Sequence, residues 1–197
     1  MKGAVIALAA CALLTACGSI RFAVPYPSVG TPARTPGAAN EIVNVVAKDD
    51  RTDPGGAVGR NGWQTLVPSN DPAGALAGGM RAELAARGYT VAPGHAQATL
   101  DLVSFAVDFL PNDLPLQASP GAPGGTVIAT VGIIVIVRDP VARPVFAHYL
   151  QVHAAKPYYF NTSNAPDART VLSEAMQSAI TGMIADPAFQ QAARRAQ

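Results

Sequence analysis

Apolar positions along this chain follow two periods. Thr126 to Arg138 alternates without a break, with Val127, Ala129, Val131, Ile133, Val135 and Val137 on one face. Ile128, Ile134 and Ile136 lie on the other, with Thr130 and Gly132. A period of two predicts a strand, and apolar residues at both parities predict one covered on both faces. Shorter strands are predicted at Glu41 to Lys48, Trp63 to Val67, Tyr89 to Ala92 and Ala98 to Leu110. Val145 to Ala154 is expected to pair back on the long strand as a hairpin.

The second period is helical. Leu76, Met80 and Leu84 recur at intervals of four behind Asp71-Pro72, an N-cap with proline at the first helical position, and Gly88 supplies the stop. Leu172, Met176, Ile180 and Ile184 recur likewise behind Asn164, which has Asp167 three residues on. Asp186-Pro187 caps a short last helix, Ala188 to Ala196, whose final turn carries Arg194-Arg195. The order predicts an α+β fold: a mainly antiparallel sheet, two amphipathic helices packed on one face and a short C-terminal helix. Two helices shield one face only. The other cover is expected from Ile20 to Tyr26, where Ile20, Phe22, Val24 and Tyr26 also alternate, folding back with a contribution from self-association. The same segment has the makings of an edge strand, where Pro25 is tolerated.

At the N-terminus, Lys2 precedes an apolar run from Gly3 to Leu14, the layout of a secretory leader. The run is shorter than the roughly 20 residues that span a bilayer. It ends in Leu14-Thr15-Ala16-Cys17, which resembles the lipobox of bacterial lipoproteins. That resemblance implies diacylglycerol on the Cys17 thiol, cleavage before Cys17 and a further acyl chain on the new amine. Gly18 and Ser19, in place of an Asp after the cysteine, imply sorting to the outer membrane. Three segments follow: residues 1–16 as signal peptide, 17–40 as lipidated cysteine and proline-rich tether, and 41–197 as a single periplasmic domain.

Composition narrows the partners. With 14 Lys and Arg against 13 Asp and Glu, the chain lacks the charge expected of a nucleic-acid binder. Of its two cysteines, Cys11 belongs to the leader and Cys17 to the anchor, so the core must stabilise the domain without a disulfide. At 49% hydrophobic residues it has the material.

Beyond the lipobox, Asp50-Arg51-Thr52-Asp53, Ala86-Arg87-Gly88-Tyr89-Thr90-Val91, Ile128-Ala129-Thr130, Val171-Leu172 and Ile180-Thr181-Gly182-Met183-Ile184-Ala185-Asp186 resemble, in order, the YajG family of lipoproteins. The resemblance implies an outer-membrane lipoprotein facing the periplasm and brings no catalytic residues with it. Pro54-Gly55-Gly56 and Pro120 to Gly125 depart from the pattern.

The sequence carries no nucleophile elbow, zinc-protease motif or phosphate-cradling loop. His148 and His153, five apart on one strand, point to opposite faces, and Asp49, Asp50 and Asp53 lack the alternation of a calcium loop. No catalytic, cofactor-binding or metal residues are therefore assigned. The expectation is a non-enzymatic lipoprotein, held to the membrane by acylated Cys17 and binding a protein or glycan of the envelope. A peptidoglycan- or glycan-binding module is the alternative, a hydrolase a distant third, and a homo-oligomer stays open. The candidate partner surface is Asp49, Asp50, Arg51, Asp53, Trp63, Tyr158 and Tyr159, since charged turns and aromatics serve as interface anchors.

Overall fold

The computed structural model describes residues 18–25, 35, 43–61, 64–92, 96–111, 123–159 and 164–195. The leader, Cys17, Trp63 and Tyr26 lie outside these. Among the described residues there are seven strands: β1 (Ser19–Phe22), β2 (Val43–Asp49), β3 (Gly59–Asn61), β4 (Gln64–Pro68), β5 (Ala96–Pro111), β6 (Pro123–Arg138) and β7 (Pro144–Tyr159). Three helices accompany them: α1 (Pro72–Ala86), α2 (Asn164–Ala185) and α3 (Pro187–Arg195). Asp71 caps α1 by accepting the Ala73 N–H at 3.0 Å, and Gly88, at φ +96°, ends it in the left-handed turn that glycine permits. Asp186 caps α3 in the same way.

All seven strands form one sheet, in the order β1-β4-β3-β5-β6-β7, with β2 paired to β5 off that path. The sheet is mixed, not mainly antiparallel as the element order suggested. β1/β4, β2/β5 and β3/β5 run parallel; β3/β4, β5/β6 and β6/β7 run antiparallel. The cause is the position of α1. A parallel pair needs a long crossover, and the chain from β2 through β4 and α1 back to β5 supplies one. β5 therefore serves three partners: β6 along one edge, β2 and then β3 along the other.

One irregularity sets which side chains are buried. The β5/β6 register shifts between Leu102 and Ser104. Ahead of it Ala96, Ala98, Leu100 and Leu102 are buried; after it the buried set is Phe105 and Val107. A bulge at Val103 thus changes the parity of β5 and keeps one face of the sheet apolar along its length. Opposite, Val127 through Val137 at odd positions of β6 are at most 2% exposed. α1 contacts β2 and β5, α2 contacts β6 and β7, and α3 contacts both of those. Phe189 of α3 meets Phe146 of β7 edge to face, with ring centroids 6.0 Å apart.

Among the described residues, the N-terminal segment does not fold back over the other face. β1 lies in the plane of the sheet as its edge strand, because β4 offers it unpaired backbone groups in register from Ser19 opposite Thr65 to Phe22 opposite Pro68. Phe22 and Val24 are buried, and Asn70 clamps Val24 with its side-chain carbonyl and amide at 2.7 and 3.1 Å. The apolar residues of the outer parity are instead half-buried by their own neighbours. Ile134 lies between Asp101 and Tyr149, and Ile136 between Thr99 and Ala147. The Tyr149 hydroxyl sits over Gly132, 3.2 Å from where a Cβ would stand, and donates to Gln151 at 2.9 Å. Arg138 donates to Thr99, and Thr130 bonds His153. Gly59 of β3 is required for a different reason: a Cβ there would fall 2.1 Å from the Val107 carbonyl oxygen. Among the described residues, no helix is long and apolar enough to cross a membrane.

Candidate functional site

The expected partner surface divides into two places. Asp49 closes β2, and the charged residues behind it fold onto the middle of the sheet edge. The Arg51 guanidinium makes a paired contact with the Asp49 carboxylate, Nε to Oδ1 at 2.8 Å and Nη2 to Oδ2 at 2.6 Å. It also lies 5.6 Å from the centroid of the Phe105 ring. Both side chains are mostly shielded, at 8% and 13% exposure. Asp49 further accepts the Gly55 N–H, and the Asp50 N–H donates to the Leu102 carbonyl. Asp50 pairs with Lys48, while Asp53 is exposed. Asp49 and Arg51 thus stitch the turn to the sheet, and Asp50 and Asp53 are what the turn offers to solvent.

This network predicts a pH dependence. The hydrogen bond from Arg51 holds the Asp49 carboxyl below its ordinary value, outweighing the opposing effect of burial. A lowered folded pKa contributes stability above the unfolded pKa and loses it as pH falls through the folded one. Asp49→Asn should cost about 1.5–3 kcal/mol at neutral pH. The gap from the parent should close as pH drops below the usual carboxylate range. Urea unfolding across pH 7 to 2 measures it; a gap constant to the acid limit would remove the ion pair as its cause.

The aromatic candidates sit elsewhere. Tyr158, 7% exposed, packs edge to face on Phe109 with centroids 5.4 Å apart, which takes it off the surface and into the end of the core. Tyr159, next along β7, is 44% exposed. Trp63 lies outside the described residues. His148 and His153 are on opposite faces of β7, as their spacing requires: His148 is across from Val135 and His153 from Thr130. Among the described residues no three His, Cys, Asp or Glu side chains gather where a metal ion could sit.

Sequence reasoning missed one feature, a groove between the end of β1 and the first half of α2. Two adjoining depressions of about 300 and 370 Å³ share Arg169 and Thr170. Pro25, Ser173 and Glu174 line one, and Phe22, Ala23, Ala165 and Pro166 the other. Thr170 donates to the Pro166 carbonyl at 2.9 Å, and no histidine lines either depression. The groove offers a cation, an anion and hydroxyls rather than a nucleophile with a base. Its residues occupy the polar side of an amphipathic helix, where nothing in the sequence sets them apart from a solvated face.

No protein-family model matches the sequence, and neither does any curated protein. Solved structures match the fold. A Xanthomonas campestris protein of the DUF330 family superposes with a TM-score of 0.60 at 14% identity, covering 89% of this chain and 99% of its own. A Helicobacter pylori homologue of a neuraminyllactose-binding hemagglutinin gives 0.53 at 9% identity, covering 89% and 100%. A minor lipoprotein from Acinetobacter baumannii gives 0.47 at 10%, covering 79% and 94%. The likeness to the first two establishes a shared fold.

Proposed function

We propose that this chain is a lipid-anchored lipoprotein of the bacterial cell envelope, acylated at Cys17 and binding another envelope component through its folded domain without catalysis. The observation that carries the reading is the lipobox-like Leu14-Thr15-Ala16-Cys17, which ends the apolar leader directly ahead of β1. An apolar leader followed by a sheet strand has its processing point at that junction. Gly18-Ser19 after the cysteine favours the outer membrane, with the domain in the periplasm, and the YajG-like motifs agree with that placement. Asp50 and Asp53 on the charged turn, the groove at Arg169 and the exposed Tyr149 are the surfaces offered to a protein partner.

A glycan is the second reading, favoured by the exposed rings of Tyr149 and Tyr159, which can stack on sugars. Crosslinking in the cell from Tyr149 or Asp53, with the anchor intact, is expected to give a discrete protein adduct. Co-sedimentation of the purified domain with peptidoglycan sacculi, without such an adduct, would replace the protein reading by the glycan one. Cleavage of muropeptides by the purified domain would overturn the absence of catalysis.

A further inference from the structure

The anchor and the sheet are separated by almost no chain. Gly18 already accepts the Thr65 N–H at 3.3 Å, and β1 begins at Ser19. Two residues of extended chain reach about 7 Å, so lipid on Cys17 lies within that distance of the start of β1. The strand directions fix which end of the sheet this is. β1 starts where β3 and β5 finish, where β6 starts and where β7 finishes.

Through the ladder, Ser19 is level with Thr65, Arg60, Asp108, Ile128 and Ala155. Past that row β5 runs on to Leu110 and Pro111, and β7 runs on through Pro157 to Tyr159. At the rise of a strand these ends overshoot the row by roughly 7–13 Å, comparable to or longer than the reach of the linker to Cys17. At the corner these tips form, the exposed side chains described are uncharged, and Lys156, on the way to Tyr159, is paired with Asp167. Leu110 is 51% exposed and Tyr159 44%, with Pro111 and Pro157 exposed beside them. Leu110, Thr126 and Pro157 make one cross-strand row. Gly125 behind them, at φ +153°, has no room for a side chain, its Cβ position being 2.1 Å from the Leu110 carbonyl oxygen.

We propose that this corner, through Leu110 and Tyr159, rests in the headgroup region of the membrane that holds acylated Cys17. The proposal rests on the acylation of Cys17 argued above. A tyrosine with one polar end and a leucine beside it suit that depth, and apolar contact adds to what the acyl chains supply. The domain then stands on the lipid with its β6–β7 turn, Asp139 to Arg143, pointing away.

Once the leader is removed and Cys17 acylated, the chain has no free thiol, so Leu110→Cys, Tyr159→Cys and Val141→Cys each introduce a single one. Val141 is 68% exposed at the far turn. The lipidated full-length variants, bearing a small fluorophore at that thiol, are placed in vesicles of phosphatidylethanolamine and phosphatidylglycerol containing brominated acyl chains. Circular dichroism verifies their folding, and intact mass verifies their acylation. The labels at 110 and 159 should lose at least about twice as much fluorescence as the label at 141. Acylated chains with equal quenching at all three positions would overturn the proposal and leave the anchor standing. Chains without acyl mass on Cys17 would overturn both.

Discussion

Ile133→Lys is expected to abolish the folded domain. Ile133 is 2% exposed in the middle of β6, between Leu102 of β5 and Leu150 of β7, with Leu102 itself 1% exposed. Removing the isoleucine forgoes about 1.5–3 kcal/mol of apolar burial. The lysine that replaces it must carry an ammonium, or give up its proton, inside the apolar core, which costs several kcal/mol more. Together these approach the total stability of an ordinary domain, about 5–15 kcal/mol. The neighbouring change, Ile134→Lys, is the control. Ile134 is half-buried on the outer face, across from Asp101, and a lysine there reaches both water and that carboxylate. It should lose about 1–2 kcal/mol and stay folded. Far-UV circular dichroism and urea unfolding of the two purified domains check this. Equal midpoints would mean that the two faces are equally covered.

Cys17→Ala should be as decisive for location as Ile133→Lys is for folding. In the proposed anchor diacylglycerol is joined through sulfur, so alanine removes the attacking atom, and no residue after Cys17 offers another thiol. Each buried methylene of an acyl chain contributes about 0.8 kcal/mol to membrane attachment, so loss of the chains releases the domain or leaves it on an uncleaved leader. Feeding with labelled palmitate, followed by detergent partitioning, reads the result. The parent should carry label into the detergent phase and the variant should carry none. Label persisting in the alanine variant would show that the lipid, if present, is attached elsewhere.

What could be read from the sequence was local. Asp71, Pro72 and Gly88 punctuate α1 within a few residues of the positions they cap, and the uninterrupted alternation of β6 needs no partner to be seen. The edge role of Ile20 to Phe22 was visible in its alternation and its proline. What stayed hidden depends on residues far apart. Gly59 to Asn61 carries no alternation and becomes a strand only because the edge of β5 at Val107 and Asp108 is free to receive it. The parallel pairing of β2 with β5 reflects where α1 returns the chain, which no window of β2 contains. The bulge at Val103 reverses the inward parity of a strand whose sequence looks continuous. At the partner surface, Asp49 and Arg51 read as a solvated turn because Phe105, which shields the arginine, is more than fifty residues away. Tyr158 and Tyr159 are adjacent letters with opposite exposure.

The three partners of β5 also set an order in time. A chain that enters the periplasm amino terminus first delivers β1 to β4 before β5. Of those four strands, β3 and β4 can pair as a hairpin and β1 can join β4, but β2 has no sheet partner until Ala96 to Leu102 arrive. Pairings this distant in sequence close slowly, because loop entropy must be overcome before any contact rewards it. The first strands therefore wait, exposed, for the fifth. A chain truncated before β5 would carry four strands without the member that joins them. On the proposed route of export, the chain yields a folded object only when its second half has crossed.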